Sequence, residues 1–561
     1  MPASAAVSLN GQVLGAGAPI TNSTVTLFAA SAGAPKQLAQ AKSGADGRFT
    51  LSAADAPGKD AILYLVAKGG GTPAANKAGG NNPAIALMSV LGATPPKSVT
   101  INELTTVASV FTAAQFINGE SISGNPLGLR IAAGNAPNLV DPATGKWGKV
   151  LLDPINSSMT TTMASLDTLG SLISAYFTVA DDGWRARFLK AATPPAGVTP
   201  KTTLEAMAGI ARAPWAAPKE LYALFDAAYP LPAPDGRRSS PFVPYLVYEP
   251  DDFALTLCFS GGGNCANGRF MFDADGNLWS GMNWMPGSQS GVNKSTGGGV
   301  GKHSTNGTAL SPPITGFTGM GIDGVGWGTA VTKDRVWISS FSGKILVMDF
   351  NGKPVASESD FPFKEKFLGL MGIGVATNGD VWIADGSNNQ LLFFPGGRIK
   401  DGKIVKVAGL VSPFDIVIDS QNRVWVANSS SDTVVRFPAN DPINIPWGLN
   451  VDGNDDVWVG NMWGRSVTLL AGDATKGHPA GTKTGDVIHV FQAGSIQMIT
   501  DVSIDPAGNV WAANNWNSLE AAASPNPSRP TSTWGGGSGV TVIYGVAAPV
   551  KPPRIGKVQA Y

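Results

Sequence analysis

Charged side chains are scarce, at 14% of 561 residues, and 40 acidic groups offset 40 basic ones. No long-range field therefore exists to gather nucleic acid or an anionic membrane surface, and both drop out as partners. Long apolar runs are also missing, since none reaches the roughly 18 residues that a membrane-spanning helix needs. Cysteine is limited to Cys258 and Cys265, which share the short stretch CFSGGGNC. A disulfide closing that small loop is expected, with two buried thiols as the alternative. The crosslink points to a secreted or periplasmic protein, although the opening MPASAAVS has neither the basic segment nor the apolar core of a signal peptide. Histidine is limited to His303, His478 and His489, so the side chain best suited to proton transfer near pH 7 is nearly absent.

Turn-forming residues are abundant instead, with 70 glycines and 41 prolines. They favour short strands joined by tight turns, and the length calls for two to four domains. Residues 1–98 alternate apolar and polar side chains in runs such as STVTLFAAS, GRFTLSA and AILYLVAK, which reads as a β-sandwich. Residues 99–229 change to helical periodicity, with Thr100–Glu103 and Thr202–Glu205 as expected capping boxes at two helix starts. PLPAPDGRRSSPFVP marks a linker over 230–249, and residues 549–561 read as a C-terminal tail.

Residues 250–548 contain a sixfold repeat: DADGNLWSGMNW, VTKDRVWISSFS, ATNGDVWIADGS, DSQNRVWVANSS, DGNDDVWVGNMW and DPAGNVWAANNW. Each copy carries a polar turn, an apolar residue and a tryptophan at 279, 337, 382, 425, 458 or 511. Apolar runs on both sides make each copy an antiparallel meander, and six meanders predict a six-bladed β-propeller. The segment 252–259 is expected to return as the outer strand of the last blade. Only 33 residues separate Trp425 from Trp458, so blade four is expected to lack its outer strand. The motif tryptophans read as filling between sheets. DADGN and DGNDD read as hairpin turns and not calcium loops, because the later bidentate Glu is missing. The expected protein is thus multidomain and mainly β, with a sandwich, a helical middle domain and a propeller.

Two resemblances accompany this reading. GQVLGAGAPITNSTVTLFAAS followed by SGADGRFTL resembles the carboxypeptidase-regulatory-like module, which implies a spacer or accessory binder. The tryptophan motif, close to D-x-x-G-N-V-W-V-A-N, resembles NHL-repeat and streptogramin-lyase-like (virginiamycin B lyase-like) propellers. That resemblance implies a propeller and, among its possible activities, lyases that use a His and Glu pair with magnesium. It also implies lactonase-type sites in which Glu, Asn and Asp hold a divalent cation. The three histidines and the nearby glutamates, such as Glu249, Glu358, Glu365 and Glu520, fall outside the repeated motifs, so the lyase residues have no counterparts here.

The expected site lies at the channel mouth. Five positions after the motif tryptophans stand Trp284, Ser342, Ser387, Ser430, Trp463 and Trp516, which would bring three indoles onto one arc. About ten positions before them stand Arg269, Gly372, Asp415, Gly448 and Asp501, with Trp327 and Trp447 close by. Antiparallel reversal puts both sets on one face. Asn283, Asn461 and Asn515 add amides. The expected function is therefore an exported, non-catalytic propeller that binds a small carbohydrate-like or aromatic ligand at an aromatic-lined mouth. One alternative is a calcium- or magnesium-dependent lyase or lactonase using Asp415 and Asp501. The other is a structural or surface-assembly protein prone to self-association.

Overall fold

The computed structural model describes residues 7–54, 58, 60–71, 81–232, 236–264, 266–282, 299–313, 315–318, 326–356, 360–363, 367–376, 378–407, 409–418, 424–428, 446–472, 477–516 and 539–552. Among them, no helix is long and apolar enough to cross a membrane. The chain divides into two compact units, Met1–Leu257 with Ile543–Val546 and Cys258–Val542 with Ala547–Tyr561.

In the first unit, strands Lys36–Lys42, Thr24–Ala30, Ile62–Lys68 and Ala86–Gly92 lie side by side in one antiparallel sheet. Strand Val7–Gly15 pairs antiparallel with Arg48–Ala53 and parallel with Ser98–Ile101 in another. The edge strand Ala86–Gly92 does not present bare amides. Met88 N–H donates to Thr106 Oγ1 at 3.0 Å, Val90 N–H to Ser109 Oγ at 2.8 Å and Ala86 N–H to Thr203 Oγ1 at 3.0 Å. Hydroxyls on helices Glu103–Thr112 and Thr203–Arg212 thus cover a sheet edge, which joins strands and helices into one body. The first helix is capped by Asn102, whose side chain accepts from Thr105 N–H, and not by Thr100. Thr202 caps the other as expected, but the Glu205 carboxylate turns to Lys201 N–H at 2.6 Å.

In the second unit each repeat forms its own antiparallel sheet, named here by its tryptophan. The Trp337, Trp382 and Trp458 sheets have four strands each, and the Trp279 sheet has three among the described residues. The Trp425 sheet has two, Pro413–Ile418 and Val424–Asn428; its expected missing strand falls in 429–445, outside the described residues. The Trp511 sheet takes Thr256–Phe259 as its outermost strand, as expected from the early position of that segment. First strands touch in a closed cycle: Asn267–Phe272, Gly326–Val331, Leu370–Val375, Pro413–Ile418, Pro446–Val451, Met498–Ile504 and back to Asn267–Phe272. Separate antiparallel sheets in a closed cycle define a β-propeller.

The repeated turn explains itself chemically. Asp273 Oδ1 accepts from the amides of Asp275 and Asn277, while Oδ2 accepts from Trp279 Nε1 at 2.9 Å. Asp505 repeats this with Trp511 at 2.9 Å, and Asp452 with Trp458 at 3.2 Å. An aspartate six residues before the tryptophan therefore ties turn to indole. Val331 and Ala376 replace it in two sheets, where packing holds the tryptophan. Trp279, Trp337, Trp458 and Trp511 are fully buried, and Trp337 packs among Ile373, Val375, Ile383 and Phe394 of the next sheet. Burying such rings, at about 150–250 Å² each, stabilises neighbouring sheets against one another.

Candidate functional site

Ten residues before the motif tryptophans the first strands carry Arg269, Trp327, Gly372, Asp415, Gly448 and Asp501. Arg269, 3% exposed, points its Nη1 at Asp415 Oδ2 (3.4 Å) and Asp501 Oδ1 (3.5 Å), and also donates to Thr500 O. Phe270 N–H donates to Asp501 Oδ2 at 2.8 Å, and Ile416 N–H to Asp415 Oδ1 at 3.0 Å. The glycines in the series make room for the carboxylates. A Cβ on Gly372 would stand 2.3 Å from Asp415 Oδ1, and one on Gly448 would stand 2.4 Å from Asp501 Cα. One sheet thus gives up a side chain so that its neighbour can seat an aspartate.

Charge in this cluster does not balance when both acids are ionised, because one guanidinium faces two carboxylates. Burial raises the pKa of both, opposed by Arg269, and Asp501 is pushed up to about 7. A proton held by one of the two carboxyls leaves the cluster uncharged.

Aromatic rings cover the guanidinium. Its carbon lies 5.5 Å from the Trp327 ring centre and 5.4 Å from that of Phe414. Trp327 and Phe414 in turn meet Trp447 at 5.7 and 4.9 Å, and Trp447 meets Trp516 at 6.0 Å. Phe341 completes the group, 4.7 Å from Trp327. The structure therefore brings together Trp327, Trp447, Trp516, Arg269, Asp415 and Asp501, but as packed rings over a buried cluster and not as an open aromatic wall. Trp463 is 52% exposed, on the turn between strands Val457–Asn461 and Ser466–Leu470. Trp284 and Asn283 lie outside the described residues. Asn461 and Asn515, expected to offer amides to a ligand, are fully buried and already bonded within the protein: Asn461 Nδ2 to Thr468 Oγ1 at 2.8 Å, Asn515 Nδ2 to Asn267 O at 2.6 Å. Cys258 is buried, and its expected partner Cys265 lies outside the described residues.

A cavity runs along the first strands on the other side of the cluster. Its empty volume is about 710 Å³, open solvent at its mouth included. Arg269, Asp415 and Asp501 line it, with Ile373, Val417 and Leu449 on the walls, while Val550, Lys551 and Pro552 border it too. The rings of Trp327, Phe414, Trp447 and Trp516 do not line it. This cavity was not foreseen, nor were Phe414 and Phe341. The signal for Phe414 was available, since an aromatic residue immediately precedes both Asp415 and Gly448 at equivalent places.

The donor set bears on two chemistries. Among the described residues no three His, Cys, Asp or Glu side chains gather as a metal-binding group. Asp415 and Asp501 already face a guanidinium, so the residues here do not fit a divalent cation without displacing Arg269. No histidine lines the cavity. His303 is buried on strand Val300–His303, where desolvation lowers its pKa to about 4. His478 Nε2 meets Asp456 Oδ1 at 2.8 Å, and that oxygen also accepts from Gly472 N–H.

Comparison with known proteins identifies no family model and no curated protein that matches this chain. Solved structures do match. Virginiamycin B lyase from Staphylococcus aureus is 13% identical, with TM-score 0.31, over 47% of this chain and 83% of that one. A gluconolactonase from Xanthomonas campestris is 12% identical, with TM-score 0.35, over 52% and 90%. A calcium-binding protein, regucalcin, from Agrobacterium tumefaciens is 12% identical, with TM-score 0.36, over 54% and 98%.

Proposed function

We propose that this chain is an exported six-bladed β-propeller that binds a small molecule in its axial cavity without transforming it. Six motif-bearing sheets and the closed cycle of their first strands support the blade number. One observation carries the binding reading: two carboxyls line the cavity beside a buried guanidinium that keeps two nitrogens without a partner among the described residues. Few polar groups set in mostly apolar walls are the usual make-up of a small-molecule pocket. The aromatic group serves as a lid support for the cluster, holding Arg269 by its faces.

The test is to fill the cavity. Val417 is half-buried and lines it, so Val417→Trp should leave the circular dichroism spectrum unchanged and remove the thermal shifts produced by a panel of small acids, amides, lactones and sugars. Shifts that persist in the variant would place binding elsewhere. A catalytic reading has one supporting observation, a cavity-lining carboxyl in Asp501 whose pKa of about 7 suits general acid/base work.

A further inference from the structure

We infer that Asp415 and Asp501 together seat the ammonium group of a small primary amine with an apolar body, which enters the axial cavity as the cluster gives up a proton to solvent. This rests on the axial-cavity reading above. The carboxyls are the charged groups a ligand meets there. Asp415 and Asp501 line the cavity with 8% and 7% of their side-chain surface exposed, whereas the unpartnered nitrogens of Arg269 are closed to solvent. Asp415 Oδ2 and Asp501 Oδ1 come from two different sheets and converge on the same nitrogen, Nη1. At 3.4 and 3.5 Å these pairs are longer than an N–H···O hydrogen bond, and Nη1 also donates to Thr500 O. Each carboxylate can accept about four hydrogen bonds. The amides of Ile416 and Leu449 face Asp415, and those of Phe270 and Val502 face Asp501. Acceptor capacity remains for an ammonium group, which brings donors only.

Charge selects a cation and fixes its valence. One guanidinium neutralises one carboxylate; the second, buried without a counter-charge, holds a proton instead, with Asp501 pushed up to about 7. An incoming ammonium supplies the missing positive charge. The ligand keeps its own protons, the carboxyl O–H breaks, its proton passes to solvent, and two cations then face two anions. A carboxylate ligand would leave an excess negative charge, and a divalent metal ion an excess positive one. Neighbouring elements do not alter the count. Strands Gly326–Val331, Leu370–Val375, Val424–Asn428, Pro446–Val451, Val457–Asn461 and Val510–Trp516 bring no titratable group. Asp385, at the end of strand Val381–Asp385, is bonded to Asn388 and Gln390. Lys551 borders the cavity but is exposed.

The rest of the ligand follows from the walls. Ile373, Val375, Val417 and Leu449 offer no side-chain hydrogen bonds. The amide of Asn450 beside them is already in use, donating to Val502 O at 3.1 Å and accepting from Val451 N–H at 2.9 Å. A hydroxylated amine such as an amino sugar would lose hydration there without replacement, whereas an alkyl or aryl amine would not.

Calorimetry on the full chain with butylammonium and butanol as probes tests this, in buffers of differing ionisation enthalpy. Butylammonium should bind with release of about one proton at pH 6 and about none at pH 8.5, its affinity rising about tenfold per pH unit up to pH 7. Butanol has the same apolar body without the charge, and should bind at least about tenfold more weakly at pH 8. Asp501→Asn leaves a one-to-one ion pair, and should weaken butylammonium about tenfold or more and abolish the proton release. Lys551→Met removes a charge like that of the ligand, and should leave the affinity unchanged or higher. Binding at pH 6 without proton release, or butanol bound equally well, overturns the amine seat while leaving a ligand-binding cavity. Sodium or potassium chloride raising the melting temperature as far as butylammonium chloride at the same concentration also overturns it, as does affinity lost in Lys551→Met but retained in Asp501→Asn. If butylammonium does not bind and Val417→Trp removes the shift of a class in the panel above, the amine seat falls and the cavity reading stands; if neither the amine nor any compound in the panel binds, both fall. Should Asp501→Asn fail to fold, proton release by the unaltered protein decides.

Discussion

Replacing Asp501 by asparagine removes the surplus carboxyl from the buried cluster, and its consequence can be worked out from charge. In the folded protein Asp501 titrates near 7, whereas an unfolded aspartate titrates near about 3.9. The folded state therefore holds the proton more tightly, and this stabilisation is complete below the unfolded pKa and lost as pH rises from about 4 to about 7. One pH unit in that window is worth roughly 1.4 kcal/mol, so unfolding free energy should drop by about 3 kcal/mol between pH 5 and pH 8 on account of this group. The amide introduced by Asp501→Asn would not titrate, and its oxygen keeps the bond from Phe270 N–H now made to Asp501 Oδ2. The substitution also leaves Arg269 and Asp415 as a one-to-one pair. Asp501→Asn should thus be more stable than the unaltered chain at pH 8, by about 1–3 kcal/mol, and the difference should vanish or reverse by pH 5. Urea unfolding followed by tryptophan fluorescence reads the relevant unit, because only Trp147, Trp184 and Trp215 of the 15 tryptophans lie in the other. Other buried acids titrate as well, so the quantity to compare is the difference between the two proteins at each pH. A variant less stable at pH 8, or a difference that does not change with pH, would refute the unbalanced cluster.

Two more outcomes follow from the same geometry. Gly448→Ala should destabilise the propeller by about 1–3 kcal/mol, because its Cβ would meet backbone and carboxylate of Asp501. Gly460→Ala, whose Cβ would meet Ile499 and Val502 at 3.4 Å, should stay within about 0.5 kcal/mol; equal effects by denaturant titration would refute the close approach. Calcium or magnesium should leave the melting temperature unchanged at millimolar concentrations, since Arg269 already neutralises the aspartates; a rise that Asp415→Asn removes would show that the guanidinium yields.

The repeat was legible because its signal is local. Turn, aspartate, apolar residue and tryptophan sit within seven positions, and the side chain of Asp273, Asp452 or Asp505 satisfies amides two to four residues away. Local chemistry of this kind needs no partner from elsewhere in the chain. The first helix start was misread for the opposite reason. Thr100 and Glu103 have the spacing of a capping box, but Thr100 belongs to strand Ser98–Ile101, and Asn102 was better placed to cap. Spacing alone does not reveal which candidate the strand has already taken.

The site was legible in register but not in depth. Counting back ten residues from each tryptophan selects Arg269, Asp415 and Asp501 correctly as neighbours, since the ladder fixes how far along the axis each residue lies. Whether that level is open to solvent depends on what stacks above it, and the ring of Trp447 approaches Phe414 from another sheet. The decisive pairings join residues far apart in sequence: Gly372 faces Asp415, and Gly448 faces Asp501. Neither glycine stands out among 70 until the sheet it faces is known. Yet each vacancy is specific, because alanine would not fit where a carboxylate does. Two missing side chains admit two acids to a single guanidinium, and that count of charges, not the tryptophans, favours a proton on the buried cluster.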